Sequence, residues 1–263
     1  MDSAAAQGST GQIESAPPLQ VIDYHKAYQD MVAVSGLSFV VNRGEILGLL
    51  GPNGAGKTTT MRAMCGIIPP THGRLLVAGH DVVVDPVGAK RKLAYIPDDP
   101  KLFDTLTVWE HLEFIAAAYR LSDWKLEAED LLARFELTPK RATAAQELSR
   151  GMRQKVAICC AYLHNPAAVM FDEPMTGLDP RGIRTLKDTI RERTAAGAAI
   201  LISSHLLALV EDLCTHLLIL HHGKSLFFGR IEDARSAFAS VDRDSSLEDL
   251  FFRATETPAA ARL

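Results

Sequence analysis

The chain has 263 residues, of which 47% are hydrophobic and 23% charged, a composition typical of an ordinary globular protein and not of a disordered or fibrous one. Its 28 basic and 32 acidic residues give a formal net charge of -4 at pH 7. Proteins that bind DNA or RNA usually carry a basic excess, so this balance argues against a nucleic-acid partner. The length suits one large α/β domain or two small ones.

Cysteine usage and hydropathy exclude several further classes of protein. The cysteines lie in apolar stretches without the paired spacing of a zinc site, which indicates small buried side chains in a reducing compartment. No apolar run approaches the roughly 18 residues of a transmembrane helix. The first residues have neither the basic start nor the apolar segment of a secretory signal. Any work at a membrane would therefore depend on the transmembrane segments of another protein.

The first part of the chain predicts a tail followed by strands. Residues 1–18 are mostly small and polar, and we expect them to form a disordered tail because they offer little to bury. From Leu19 the pattern predicts strands through LQVIDYHKAY and LSFVVN. After Gly44, EILGLLG is typical of a fully buried strand. A glycine loop follows, and then a helix whose apolar face starts at Met61 and ends before Pro69.

The remaining elements alternate between strand and helix patterns. GRLLVAGHDV predicts two short strands around a turn at Gly79, and LLILHHGKSLFFG predicts a hairpin around Gly223. Two buried strands, AAVMFD and AAILISS, are separated by an amphipathic helix. Three Ala/Leu-rich segments of helical period predict an α-helical subdomain inserted at about residues 100–165. We place the main domain at residues 19–235 and a short helical C-terminal tail at 236–263.

These elements together predict the fold class. It is α/β, with a core of one mixed sheet and flanking helices, an antiparallel β subdomain and the inserted α-helical subdomain.

The sharpest motif lies between the predicted buried strand and the helix that follows it. It has a glycine, four residues and then Gly-Lys-Thr. Its residues are Gly51, Pro52, Asn53, Gly54, Ala55, Gly56, Lys57, Thr58 and Thr59. Glycines let backbone N–H groups wrap a phosphate, and the helix N-terminus adds partial positive charge. Lys57 would contact the β- and γ-phosphates, and the Thr58 hydroxyl would bind Mg²⁺. The motif predicts a P-loop that binds the phosphates of a nucleotide together with Mg²⁺.

Two adjacent acids, Asp172 and Glu173, end the apolar strand AAVMFD. An unpaired charge at the end of a buried strand is costly, so either a function or a strand end that meets solvent explains them. The P-loop upstream favours a function. We predict that Asp172 belongs to the Mg²⁺ shell and that Glu173 polarises the attacking water as general base.

With these residues the chain resembles the nucleotide-binding domain of ABC ATPases over about residues 19–230. LSRGMRQ, residues 148–154, resembles the signature loop of the family. The resemblance implies that Ser149 and Gly151 meet the γ-phosphate bound by the other subunit, at another helix N-terminus. GLDP, with Asp179, resembles the loop that connects the two active sites.

Two aromatic or imidazole side chains also take roles from the resemblance. His205, in SSH at the end of a predicted core strand, matches the histidine that contacts the γ-phosphate. Tyr28, in KAY, matches the aromatic residue that stacks on adenine, with Tyr24 as the alternative.

The sequence departs from the family pattern at two places. The signature usually reads Ser-Gly-Gly-Gln, and here Arg150 and Met152 replace its second and fourth residues. Because Ser149 and Gly151 are kept, we expect the loop to function. The family also has a glutamine that touches Mg²⁺ and senses the transport partner, and here Asp98 stands there. Aspartate is a hard oxygen donor, so Asp98 is a further candidate Mg²⁺ ligand.

The resemblance implies an ATP hydrolase that closes head to tail with itself or with a homologous ATPase subunit around two ATP molecules. The LSRGMRQK wording and the tail LEDLFFRAT look like the separate ATPase subunits of bacterial ABC exporters. This implies export through a separate polytopic membrane subunit, docked beside the Asp98 loop, and a cytoplasmic location on the inner face of the cell membrane. The alternative is a soluble ABC ATPase that acts in cluster assembly, division or ribosome-associated regulation.

Overall fold

Ten strands form the framework of the structure, a computed structural model that describes residues 16–29, 31–205 and 207–238. In chain order the strands are β1 (Leu19–Tyr28), β2 (Met31–Val41), β3 (Ile46–Leu50), β4 (His72–Val77), β5 (His80–Asp81), β6 (Leu93–Ile96), β7 (Ala168–Asp172), β8 (Ala199–Ser203), β9 (His216–His221) and β10 (Lys224–Arg230). They form an antiparallel sheet of order β2-β1-β4-β5 and a six-stranded sheet of order β10-β9-β3-β8-β7-β6. The second sheet is mixed, because β10 is antiparallel to β9 and the other neighbours are parallel.

Helices connect and cover these strands. They are α1 (Lys57–Met64), α2 (Pro86–Arg91), α3 (Val108–Tyr119), α4 (Trp124–Arg134), α5 (Arg150–Leu163), α6 (Pro180–Ala195), α7 (Leu207–Leu213) and α8 (Ile231–Phe238), with 3₁₀ turns at Thr138–Lys140 and Ala145–Glu147. Side chains fix where several of them begin. Thr107 and Glu110 form a reciprocal capping box at the start of α3, and Ser149 and Asp179 cap α5 and α6.

The central strands separate two hydrophobic layers. Every residue of β3, β7 and β8 is buried, as expected for parallel strands covered on both faces. Alternate side chains point to opposite layers. In β7, Val169 and Phe171 pack towards the layer of α3, α4 and α5, whereas Ala168 and Met170 pack towards α1 and the antiparallel sheet. The core sheet is thereby fixed in register from both sides.

The predicted fold class is confirmed, and one element differs in extent. The segment after Gly79 forms only the two-residue strand β5, because the Asp81 carboxylate accepts hydrogen bonds from the backbone of Val83 and Val84 and turns the chain towards α2. The helical segments predicted within residues 100–165 are present as α3, α4 and α5. The domain boundaries themselves stay a prediction.

Parts of the predicted tails lie outside the described residues. Residues 1–15 of the N-terminal tail and residues 239–263 of the C-terminal tail are in those parts. Within the described ranges, none of the helices combines the length and the apolar character that a membrane crossing requires.

Candidate nucleotide site

Three loops of the candidate site leave the same edge of the core sheet. β8 lies between β3 and β7, and Ser203 at its end is in register with Leu49 on one side and Asp172 on the other. Because all three strands are parallel, the chain segments that follow them meet outside their carboxyl ends, where α/β sheets place ligands. The segments are the P-loop, the Asp172-Glu173 pair and the segment that leads to His205.

The P-loop is held by close backbone contacts and by its own lysine. A Cβ on Gly51 would lie 2.4 Å from the Leu220 carbonyl oxygen, so only glycine fits there. Gly56, at the N-terminus of α1, has a φ of 105°, in the left-handed region that favours glycine. Lys57 Nζ donates to the carbonyl oxygens of Gly51 at 2.6 Å and Pro52 at 3.2 Å. The sequence therefore produces a narrow loop whose lysine lies across it.

Charges of both signs meet at the Lys57 ammonium. Burial lowers the pKa of Lys57, while the carboxylates of Glu173 and Asp172 act in the opposite direction. A half-buried cation beside two carboxylates, at the start of a helix, is an arrangement that attracts a phosphate group and an accompanying cation.

Asp172 is the buried acid of the site, with 6% of its surface exposed. Its Oδ2 atom accepts from the Thr58 hydroxyl at 3.1 Å and from the Tyr95 hydroxyl at 3.4 Å. Burial and the Asp172 charge raise the pKa of Tyr95, so its hydroxyl stays a donor. Carboxylate and hydroxyl oxygens suit Mg²⁺, which takes few protein ligands and completes its shell with water and phosphate. The residues present therefore fit this ion.

Glu173 has an unusual backbone conformation and several polar contacts. Its φ is 50°, in the left-handed region that non-glycine residues seldom occupy, at a cost of about 1–3 kcal/mol. Its N–H donates to the Ser203 carbonyl oxygen at 2.8 Å, and His205 Nδ1 lies 2.8 Å from its Oε2 atom. The Ser204 hydroxyl and the His205 N–H lie 3.4 Å from Oε2. The structure thus brings Glu173 and His205 together.

The signature loop forms a second cluster with the loop that contains Asp179. Ser149 accepts from the Met152 N–H at 3.3 Å, and a Cβ on Gly151 would lie 2.3 Å from the Gly177 carbonyl oxygen. Asp179 accepts from the Gly182 N–H at 3.1 Å and pairs with Lys155 at 3.0 Å. That hydrogen-bonded ammonium holds the pKa of the Asp179 carboxyl below its usual value. These contacts join the signature loop to the Asp179 loop, which the resemblance to ABC ATPases implies connects the two active sites.

The remaining candidates, Asp98, Tyr28 and Tyr24, differ in exposure and in the side chains that they contact. Asp98 is half-exposed and pairs with Arg150, whose Nη2 lies 2.8 Å from its Oδ1 atom; its role as a Mg²⁺ ligand stays a prediction. Tyr28, at the end of β1, is 41% exposed, and Lys26 Nζ lies 4.8 Å from the centre of its ring. Tyr24 is fully buried, so the alternative that it stacks on a bound base is wrong.

Three contacts of the site were not predicted from the sequence. They are the Tyr95–Asp172 hydrogen bond, the Lys155–Asp179 ion pair and the Arg150–Asp98 ion pair. Tyr95 carried a weak signal, because a tyrosine in a short core strand needs a partner for its hydroxyl. Lys155 carried another, as a charged residue that directly precedes the apolar run VAICCAYL of α5. The Arg150–Asp98 pair joins residues 52 positions apart in the sequence, and no local sequence pattern predicts it.

Comparison with known proteins agrees with this geometry. The ABC transporter family model matches residues 34–176. The ABC-type transporter ATP-binding protein EcsA of Bacillus subtilis is 37% identical over 92% of this chain and 98% of its own length. The Nod factor export ATP-binding protein I of Sinorhizobium fredii is 32% identical over 86% of this chain and 66% of its own length. A solved structure of the ATP-binding subunit of an ABC transporter, 37% identical, superposes with a TM-score of 0.86 over 90% of this chain and 98% of that one.

The chain belongs to the ABC transporter family. Within it, the chain is an ATP-binding subunit that hydrolyses ATP, as the sequence predicted.

The close approach at Gly51 leads to a prediction about folding. Gly51→Ala should lower the free energy of unfolding by about 2–3 kcal/mol, because the new methyl group overpacks against the Leu220 backbone. Gly54→Ala is the matched control in the same loop, because its new Cβ would meet open space. This substitution should cost only about 1 kcal/mol, for the positive φ. Urea unfolding monitored by circular dichroism measures both values. Equal losses in the two variants would contradict the packing argument.

Proposed function

We propose that this chain is the ATP-hydrolysing motor of an ABC exporter and acts through a separate polytopic membrane subunit at the cytoplasmic face of the cell membrane. The observation that carries the proposal is the meeting of Thr58 with Asp172 and of Glu173 with His205 at one edge of the core sheet. We interpret the P-loop as a phosphate cradle, Thr58 and Asp172 as metal ligands and Glu173 as a base, which are the parts that phosphoryl transfer to water needs.

Each P-loop residue has a proposed role in binding ATP. The backbone N–H groups of residues 51–59 and the N-terminus of α1 hold the phosphates. Lys57 exchanges its bonds to the Gly51 and Pro52 carbonyls for the β- and γ-phosphate oxygens. Thr58 and Asp172 are the residues proposed to hold Mg²⁺, with Asp98 as a third candidate. When bound there, the ion neutralises phosphate charge.

Glu173 is the proposed general base. Its carboxylate orients the attacking water and accepts its proton. The hydrogen bond from its N–H to the Ser203 carbonyl oxygen helps to hold its strained backbone in place. His205 Nδ1 lies against Glu173, which leaves Nε2 as the ring atom that faces a γ-phosphate. Tyr28 is proposed to stack on the adenine ring.

A second copy, or a homologous ATPase subunit, is proposed to complete the site. Ser149 is exposed at the N-terminus of α5, and Gly151 follows within the first turn. Such a helix terminus binds anions, so head-to-tail closure would bring it to the γ-phosphate held by the P-loop of the other copy. Asp179, tied to α5 through Lys155, would carry the state of one site to the other.

The assignment of Glu173 leads to a kinetic prediction. Glu173→Gln keeps the shape and the hydrogen bonding of the side chain but removes the base, so ATP hydrolysis should slow by about 10²–10⁴-fold. Binding of a fluorescent ATP analogue should stay within about twofold, since the P-loop contacts remain. Glu192→Gln, which breaks only the surface pair with Arg134, is the control and should hydrolyse normally. Normal turnover by Glu173→Gln would remove Glu173 from this role.

A groove beside the Asp98 loop supports the proposal of a membrane partner. It encloses about 450 Å³ between β6 and the helical region. Most of its lining is apolar or aromatic and includes Tyr95, Leu102, Phe103, Phe114, Ile115 and Tyr119. Phe103 and Phe114 are about half exposed, and large exposed aromatic residues around a cleft mark interaction surfaces. We propose that a cytoplasmic helix of the membrane subunit occupies this groove with its apolar face. Similarity to a Nod factor export protein supports the outward direction.

Co-purification tests the membrane partner. Tagged Glu173→Gln protein, purified with Mg·ATP from detergent-solubilised membranes of its own cells, should co-elute with a stoichiometric polytopic membrane protein identified by mass spectrometry. A second change, Phe114→Glu, should abolish that co-elution because it places a charge in the apolar groove. Leu126→Glu, at an exposed apolar residue of α4 outside the groove, should not. Recovery with cytosolic proteins alone would favour the soluble ABC ATPase instead.

A further inference from the structure

Two of the three residues that depart from the family pattern, Asp98 and Arg150, contact each other. Arg150 Nη2 lies 2.8 Å from Asp98 Oδ1 and 3.4 Å from the Asp98 carbonyl oxygen. The stem of Arg150 runs over Gly177, where a Cβ would lie 3.4 Å from both Cγ and Cδ of the arginine. One side chain thus spans from the signature loop, across the Gly177 loop, to the Asp98 loop.

The position of Arg150 in its helix makes this contact informative. Arg150 is the first residue of α5, where a cation opposes the helix dipole and is disfavoured. Helix formation therefore does not explain its presence. The neighbouring acid, Asp99, has a separate cation, because it pairs with Lys101. The Arg150 guanidinium donates hydrogen bonds to Asp98.

The pair also changes the charge balance at the site. A glutamine at residue 98 and a glycine at residue 150, as in the family pattern, carry no charge. Aspartate at residue 98 adds a negative charge in the segment after β6, the strand that pairs with β7, and arginine at residue 150 adds a positive charge in the signature loop. Held 2.8 Å apart, the two charges cancel while each loop stays attached to the other.

We propose that Arg150 is a positioning residue for the Asp98 loop, and that the Asp98–Arg150 ion pair ties the ATP site of this chain to the signature loop that serves the ATP site of the second subunit. The inference rests on the proposed function of those two loops. Asp98 and Arg150 act as one unit, so that a change to either alone is worse than a change to both.

A double-mutant cycle, measured as kcat for Mg·ATP hydrolysis, tests whether Asp98 and Arg150 act as one unit. Asp98→Gln and Arg150→Gly, made singly, should each lower kcat for Mg·ATP by about fivefold, the amount that the loss of one half-exposed ion pair represents. The double variant, which has the family residues at positions 98 and 150, should recover to within about twofold of the unchanged protein. KM for ATP should stay within about twofold throughout, because the P-loop is untouched and glutamine at residue 98 keeps an oxygen donor for Mg²⁺.

Other results of the cycle overturn the proposal. Losses that multiply in the double variant would show that the two residues act independently. A raised KM in both Arg150→Gly proteins would show that the arginine contacts phosphate directly. Single variants with unchanged kcat would show that the pair has no role in turnover.

Hydrogen–deuterium exchange of the nucleotide-free chain gives a readout that does not depend on turnover. Arg150→Gly should speed exchange in residues 98–103 by at least about threefold, and Asp98→Gln should do the same in residues 149–153, since each loop loses its tie. Arg191→Gln is the matched control, because it breaks an Arg–Asp pair of 2.7 Å and similar exposure with Asp212. It should leave both segments unchanged.

Exchange that rises only beside each substitution would overturn the tie between the loops. Failure of the proposed function has a different signature, since Glu173→Gln would then hydrolyse ATP normally whatever the exchange data show.

Discussion

The parallel pairing of β3, β8 and β7 is the constraint on which the site depends. Ser203 at the end of β8 is in register with Leu49 and with Asp172, so the P-loop, the two acids and His205 leave the sheet at one edge. The strands are buried on both faces. A shift of one residue in any pairing would turn each apolar side chain towards the wrong layer, and the packing of two cores therefore fixes the catalytic geometry.

Electrostatics at that edge are balanced between close partners. Asp172 is buried against the Thr58 and Tyr95 hydroxyls, and Glu173 lies against His205. Lys57 folds back on carbonyl oxygens of its own loop. Each group therefore has a polar partner within the protein. In the proposed function, phosphate, metal ion and water take the place of these partners, so hydrogen bonds are exchanged and not lost. The site is thereby organised before a nucleotide binds.

Much of this site was predictable because its parts are local in sequence. The run from Gly51 to Thr59 predicts a turn followed by the start of a helix. The apolar strand that leads into Asp172 and Glu173 predicts that these acids lie at the edge of the sheet. Burial was harder to predict. Tyr24 and Tyr28 lie on the same strand, yet Tyr24 is buried and Tyr28 is exposed, and only the tertiary packing distinguishes them. The Arg150–Asp98 contact depends on how three loops approach one another, which no sequence period encodes.

The central claim is that two copies, or one copy and a homologue, share each ATP through the P-loop of one subunit and the signature loop of the other. A structure of Glu173→Gln protein with Mg·ATP tests it most directly. We expect two subunits with two nucleotides at their interface, each held by residues 51–59 of one subunit and by Ser149 and Gly151 of the other. A nucleotide bound by a single chain at saturating Mg·ATP, with its signature loop in solvent, would contradict it.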